Sequence, residues 1–103
     1  MTGNRRHPRV PVQASFVSEP AYSAVNVSET GMCLSCQDEV VVGRKLPLTI
    51  SIDGEELKLT GLVKWCRAPS SVFESGYRVG VQFENHSITQ QLLVRGFVES
   101  QLS

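Results

Sequence analysis

The chain has 103 residues, of which 41% are hydrophobic and 19% charged, and its formal net charge at pH 7 is zero. This length suits one domain with a core large enough to fold without metals or disulfides. The composition excludes a disordered or fibrous protein. The zero net charge argues against a general binder of nucleic-acid polymers or of anionic membranes, because such proteins usually carry a basic excess.

The sequence indicates an intracellular protein. No charged-then-apolar signal opens it, and no apolar run reaches the length needed to span a bilayer. Three cysteines, an odd number, fit a reducing compartment better than a secreted disulfide framework. We therefore expect a cytoplasmic protein without membrane insertion.

The N-terminal segment is basic and lacks periodicity. Arg5, Arg6 and Arg9 precede the first acidic residue, Glu19. Prolines in this segment disfavour a helix, because each lacks a backbone donor and restricts the residue before it. We predict a flexible arginine-containing arm over residues 1–9, followed by one folded domain over residues 10–103.

Alternation of apolar and polar residues predicts six strands with no helix between them. The Asp53-Gly54 pair favours a type I′ hairpin turn. Such a series is typical of an all-β protein, here a six-stranded antiparallel β-barrel or sandwich. The predicted strands run from Val10 to Phe16, Tyr22 to Ser28, Gly31 to Cys36, Leu46 to Ile52, Leu57 to Trp65, and Tyr77 to Phe83. Along the fifth strand, alternation places Leu57, Leu59, Gly61, Val63 and Trp65 on one face.

The C-terminal segment has the pattern of a helix. Ser87 and Gln90 are spaced as a capping box, in which each side chain satisfies a backbone N–H of the first turn. The apolar residues that follow recur at spacings of three to five and predict an amphipathic helix that closes one end of the barrel. They are Ile88, Leu92, Leu93, Phe97, Val98 and Leu102.

A small polar cluster ends the second predicted strand. Strict alternation turns Val25 and Val27 to one face and exposes Asn26 and Ser28 together on the other. Gly31, three residues later, permits a positive φ or a backbone approach too close for a Cβ. The alternative is an ordinary turn, since these residue types are common turn formers.

The arginines of the arm suit an anionic purine ligand. Arg5 and Arg9 are four residues apart, and each guanidinium presents a planar fork that matches phosphate oxygens and the O6/N7 edge of guanine. A solvated basic tail is the alternative. The presence of Asn26, Ser28 and Gly31 in the same chain favours the ligand.

The combination resembles the PilZ domain family, in which an Arg-x-x-x-Arg arm precedes an Asp/Asn-x-Ser-x-x-Gly motif. Here these are Arg5-Arg6-His7-Pro8-Arg9 and Asn26-Val27-Ser28-Glu29-Thr30-Gly31. The resemblance continues in Gly61-Leu62-Val63-Lys64-Trp65 and in Tyr77-Arg78-Val79-Gly80-Val81-Gln82-Phe83. The resemblance therefore covers most of the chain, and its motifs follow one another in the order expected along the six predicted strands.

The resemblance implies a six-stranded barrel that binds the bacterial second messenger cyclic di-GMP without catalysing a reaction. Arg5 and Arg9 would contact phosphates and guanines, and Arg6 is a further candidate for a phosphate. Asn26 and Ser28 would hydrogen-bond a guanine, and Gly31 would allow close approach. Asn26 stands where many members have Asp, and its amide keeps an acceptor while adding donors.

Trp65 is a candidate stacking surface for a guanine, with a half-buried barrel aromatic as the alternative. The resemblance also implies one bound ligand and not an intercalated pair, because Asn4 stands where family members suited to a pair have another Arg. We expect ligand binding to order the arm and change the surface offered to an unidentified protein partner. The alternative function is a PilZ-like adaptor that binds proteins and no nucleotide.

Other chemistry finds little support in the sequence. Cys33 and Cys36 form a C-x-x-C without a second ligand pair, so we expect neither a metal nor a cofactor. His7, His86 and the acidic residues around Asp53 make no recognisable catalytic arrangement. A single-stranded nucleic-acid binder would want more exposed aromatics than the 7% of the chain that is aromatic provides. We predict that the protein is not an enzyme.

Overall fold

A computed structural model describes residues 7–72 and 74–103 of the chain. Arg5, Arg6 and most of the predicted arm over residues 1–9 lie outside the described residues. The strands are β1 (Val10–Pro11), β2 (Ser23–Val27), β3 (Gly31–Cys36), β4 (Lys45–Ile52), β5 (Glu55–Arg67) and β6 (Tyr77–Glu84), and a C-terminal helix, α1, spans Ile88–Leu102.

The six strands form one antiparallel sheet in the order β1-β2-β3-β6-β5-β4. The sheet curls until Val17, beyond β1, bridges to Ile50 of β4, and the backbone N–H of Ser18 donates to the Thr49 carbonyl over 2.9 Å. The predicted all-β fold with a C-terminal helix is confirmed, in the form of a curled half-barrel. Asp53 and Gly54 both have positive φ, as a type I′ turn requires.

The core lies on the concave, inner face of the sheet. Alternate residues of β4, β5 and β6 supply it, as the sequence pattern predicts, and Val94 and Val98 of α1 cover it. The rings of Phe16 and Phe97 lie 5.1 Å apart between their centroids and join the segment after β1 to the helix. The convex, outer face carries mostly polar and small residues, together with Trp65 and Val25.

The first predicted strand is too long. Only Val10 and Pro11 pair with β2, and Ala14–Phe16 form one turn of 3₁₀-helix in which the Phe16 N–H donates to the Gln13 carbonyl over 2.9 Å. Pro11 lacks an N–H, which weakens strand pairing at this point. The turn also brings Phe16 into the core, so burial outweighs the local alternation.

The capping box of α1 forms as predicted, since Ser87 accepts from the Gln90 N–H and the Gln90 side chain accepts from the Ser87 N–H. The predicted apolar face is wrong in part. Val98 is buried, and Leu93 and Phe97 pack against the core. Ile88, Leu92 and Leu102 lie exposed, because the helix rests on the barrel along a narrower stripe than the six apolar residues define.

Candidate functional site

A row of five residues crosses the outer face of the sheet from β1 to β5. Each is the cross-strand neighbour of the next, in the order Pro11, Asn26, Cys33, Gly80 and Trp65. We call these residues the outer row. Asn26 and Trp65 are 39 positions apart in the sequence. Strand pairing nevertheless places them on one surface, with two small residues between them.

Trp65 faces outward because β5 contains a bulge. Val63 pairs with Val81 and Trp65 pairs with Gly80, so Lys64 is an extra residue that reverses the alternation. Alternation alone predicted Trp65 on the same face as the buried Val63, and that prediction is wrong. The Trp65 side chain is on the outer face, where the residue is 43% exposed.

The indole of Trp65 lies directly over Gly80. A Cβ placed on Gly80 would overlap the Nε1 and Cε2 atoms of the ring. A glycine here therefore gives the ring a flat backbone surface on which to rest. The ring is held near the middle of the outer row instead of extending into solvent.

A second bulge, in β2, shapes the other end of the row. Ala24 pairs with Leu34 and Asn26 pairs with Cys33, which leaves Val25 as the extra residue. Val25 and Asn26 consequently line the same outer hollow. The predicted alternation put Val25 on the inner face with Val27, and the bulge overturns it.

Arg9 connects the arm to the outer row. Its Nη1 donates a hydrogen bond of 3.0 Å to Oδ1 of Asn26. Arg9 and Trp65 both line two open hollows, a larger one of about 650 Å³ and a smaller one of about 200 Å³. The larger hollow also includes Pro11, Val25, Asn26 and Cys33, and the smaller includes Thr30, Gly31, Lys64, Gly80, Val81 and Gln82.

Ser28 does not share the exposed face of Asn26 as predicted. It is 2% exposed. Its hydroxyl donates to the Gly31 carbonyl and accepts from the Thr30 N–H, each over 3.3 Å. β2 ends at Val27, so Ser28 lies in the turn, where strand alternation no longer sets its direction. It turns inward, and its hydrogen bonds stabilise the turn between β2 and β3.

Gly31 is required by the packing of the sheet. Its φ is not positive, and a Cβ at this position would overlap the carbonyl oxygen of Val81 on β6. Of the two reasons that the sequence offered for this glycine, the close backbone approach is the one that the structure shows. The partner in that approach is a neighbouring strand.

Cations surround Trp65 on the outer face. Lys64 precedes it, and Arg67 and Arg78 are cross-strand partners at the next outward position. Arg67 forms a fork with Glu74, with N···O distances of 3.2 and 3.1 Å. Hydrogen bonds from Arg67 and from Ser70 lower the pKa of Glu74 to about 2, so this carboxylate is charged at neutral pH.

Glu29, within the turn that Ser28 stabilises, lies between the arm and the helix. Its carboxylate is 3.8 Å from Nδ1 of His7 and 3.9 Å from Nε of Arg95. Exposed ion pairs of this length contribute little to stability. They show that the turn, the arm and α1 meet at one point of the molecule.

A family model for the PilZ domain matches residues 3–100, nearly the whole chain. The chain belongs to the PilZ domain family. No match to it was found by sequence among curated proteins.

Two solved structures share the fold of this PilZ domain. The structure of the K. pneumonia MrkH-c-di-GMP complex superposes with a TM-score of 0.78 at 15% identity, covering 98% of this chain and 53% of that one. The Bacillus subtilis inhibitor of motility, MotI/DgrA, gives a TM-score of 0.73 at 14% identity, covering 98% of this chain and 52% of that one. This PilZ domain therefore spans about half the length of each.

Sequence reasoning missed several residues around the site of this PilZ domain. Cys33 and Gly80 lie in the middle of the outer row, and Arg78 lies beside it. A glycine inside an apolar strand is a recognised sign of close approach, and Gly80 between Val79 and Val81 carries that sign. The position of Cys33 depends on strand order and has no local signal.

Neither a metal site nor a membrane helix is found in the described part of this PilZ domain. Across residues 7–72 and 74–103, His, Cys, Asp and Glu side chains do not gather in groups of three or more that could hold a metal ion. Over the same residues, no helix has both the length and the apolar character to cross a bilayer.

Proposed function

We propose that this PilZ domain is a non-enzymatic receptor for cyclic di-GMP and that the ligand binds along the outer row. One observation carries the proposal: Arg9, Asn26 and Trp65 converge on one open surface. A guanidinium, an amide and an indole match the phosphate, the hydrogen-bonding edge and the face of a guanine nucleotide. MrkH, a neighbour in fold, was solved as a complex with c-di-GMP.

Asn26 is the residue that we propose for reading guanine. Guanine presents N–H donors on one edge and the O6 and N7 acceptors on another. An amide offers an acceptor with two lone pairs and two N–H donors. The hydrogen bond from Arg9 uses one lone pair of Oδ1 and leaves the donors of Nδ2 available, so Arg9 and a guanine can share this side chain.

Trp65 supplies the stacking surface in this proposal. Stacking of a base on an aromatic ring contributes on the order of 1–3 kcal/mol. The indole rests on Gly80 and presents its other face outward, so little ordering is needed when a base arrives.

The remaining motif residues have supporting roles. Arg5 and Arg6 are proposed as phosphate contacts from the arm, outside the described residues. Ser28 and Gly31 act by fixing the turn beside Asn26, since the Ser28 hydroxyl is engaged within that turn. Binding would fix the arm across the outer face and so change the surface offered to a protein partner.

The test is calorimetric titration with cyclic di-GMP, with cyclic di-AMP as the comparison ligand. We expect saturable binding that prefers guanine, with one ligand per chain. Arg9→Ala should weaken binding by about 2 kcal/mol or more, because hydrogen bonds to charged groups are strong and Arg9 lies outside the core. The Arg9→Ala substitution should leave the melting temperature unchanged.

Lys58→Ala is the matched control for the loss of one positive charge. Lys58 also faces outward on β5, exposed between the buried Leu57 and Leu59, about 23 Å along the strand from Trp65. Its removal should leave affinity unchanged. An equal loss in the two variants would mean that net charge, and not the arm, sets the affinity.

Asn26→Ala separates recognition from general affinity. We expect it to lower the preference for cyclic di-GMP over cyclic di-AMP more than it lowers stability, because Asn26 lies on the surface. An equal loss of affinity for both ligands would remove Asn26 from guanine recognition.

One observation favours the alternative of a protein adaptor that binds no nucleotide. Ile88, Leu92 and Leu102 are 69%, 57% and 54% exposed on α1, and exposed apolar residues on one element are common at protein interfaces. Absence of heat with cyclic di-GMP at several temperatures, in folded protein, would select this function over the receptor.

A further inference from the structure

Arg78 lies beside the outer row on β6. It is the cross-strand partner of Ser35 on β3 and of Arg67 on β5. Its neighbours Val79 and Val81 are buried on the inner face, so Arg78 points outward with Gly80. Arg78 is not among the site residues predicted from the sequence.

The two arginines that face each other have unequal partners. Like charges directly opposite on a sheet destabilise the pair. Arg67 is neutralised by the Glu74 fork. Among residues 7–72 and 74–103, the side chain of Arg78 forms neither an ion pair nor a hydrogen bond. A half-buried guanidinium without an acceptor would be stabilised by an anion.

The position of Arg78 complements that of Arg9. Along β6, Gly80 lies under the indole of Trp65 and Gln82 lines the smaller hollow with Arg9. Arg78 lies on the other side of Gly80, about 7 Å along the strand. The indole therefore has an arginine on each of two sides, one from the arm and one from β6.

We propose that Arg78 binds the second phosphodiester of a cyclic dinucleotide whose first phosphodiester is held from the arm side. This inference rests on the proposed function, since it assumes that the ligand lies on Trp65. A cyclic dinucleotide carries two phosphodiesters at opposite sides of one ring. A surface with one arginine on each side of a stacking residue matches that arrangement of charge.

Glu74 explains why Arg78, and not Arg67, takes this role. The Glu74 carboxylate accepts from both arms of the Arg67 guanidinium and also from the N–H and hydroxyl of Ser70, over 2.7 and 2.6 Å. Arg67 is thereby committed to holding the loop between β5 and β6. Arg78 keeps its donors for a ligand.

The test is titration of cyclic di-GMP into wild type, Arg78→Ala and Lys58→Ala. Binding is monitored by the fluorescence of Trp65, the one tryptophan in the chain. We expect Arg78→Ala to bind at least tenfold more weakly, and Lys58→Ala to bind like wild type. The affinity of Arg78→Ala should also fall less steeply with added salt, because one charge–charge contact is missing.

Melting temperature separates a ligand contact from a structural role. Among the described residues, removal of Arg78 breaks no side-chain hydrogen bond or ion pair, so the variant should melt at the same temperature as wild type. An unchanged affinity, or a loss with the same salt dependence as wild type, would overturn the role of Arg78. Failure of the wild type to bind would instead overturn the proposed receptor function.

Discussion

At the scale of single residues, the site depends on a pair that carries no charge. Gly80 has no Cβ, so the indole of Trp65 lies flat against β6. Neither residue alone would produce this surface. A tryptophan over a residue with a side chain would be displaced from the sheet, and a bare glycine would leave the outer row without a face on which a base can stack.

Gly80→Ala tests this pair. The new Cβ would overlap the indole, and the ring can yield by rotating away from the sheet because it is partly exposed. We expect tryptophan fluorescence to shift to longer wavelength and binding of cyclic di-GMP to weaken about tenfold, which corresponds to ~1.4 kcal/mol of lost stacking.

Gly96→Ala is the matched control for this glycine. Gly96 lies in α1 with nothing within 4 Å of the position that a Cβ would take. Alanine there should stabilise the protein by up to about 1 kcal/mol, through helix propensity, and leave the fluorescence unchanged. An unchanged spectrum for Gly80→Ala as well would mean that the indole does not rest on this glycine.

At the scale of elements, the sequence predicts the strands well and the faces of two of them poorly. Hydrophobic alternation and turn residues determine β3, β4 and β6 almost to the residue. Bulges in β2 and β5 each insert one residue, and alternation beyond an insertion is reversed. Bulges arise from pairing between strands distant in sequence, so local patterns do not reveal them.

The bulges account for the errors at Val25 and Trp65, and the turn after Val27 accounts for the error at Ser28. Asn26 and Trp65 are both outward, although alternation predicted that only Asn26 would be. Ser28 is inward, although alternation exposed it. The family resemblance names these residues from motifs alone, and the strand order is what shows how far apart they lie on the surface.

Helix α1 shows the same limit. Six apolar residues at helical spacing predict its core face, but burial depends on how the helix lies on the barrel. Val98→Ala should lower the free energy of unfolding by about 1–2 kcal/mol, because Val98 is 3% exposed and packs in the core. Leu92→Ala should change it by less than about 0.5 kcal/mol, because Leu92 is 57% exposed.

Denaturant unfolding of the two helix variants measures both changes. The pair is informative because each substitution shortens an aliphatic side chain within the same helix. Equal destabilisation would mean that Leu92 is covered in solution, for example by a second copy of the chain. Dependence of the Leu92→Ala result on protein concentration would identify that case.

At the scale of the whole molecule, a side chain adds to the backbone contacts that close the half-barrel. The backbone N–H of Thr49 donates to Oε1 of Glu19 over 2.9 Å, beside the bridge between Val17 and Ile50. β4 is an edge strand of the sheet, and Glu19 gives its exposed N–H an acceptor where no further strand pairs with it. The closure holds the segment after β1 against the far edge of the sheet.

Substitution of Glu19 separates the hydrogen bond from the charge. Glu19→Gln keeps an oxygen acceptor for the Thr49 N–H, and we expect its stability to stay within about 0.5 kcal/mol of wild type. Glu19→Ala leaves this N–H without a protein acceptor and should cost about 1–2 kcal/mol. In hydrogen exchange, the Thr49 amide should lose protection in Glu19→Ala and keep it in Glu19→Gln. Equal protection in all three proteins would mean that pairing of Val17 with Ile50 closes the half-barrel without this side chain.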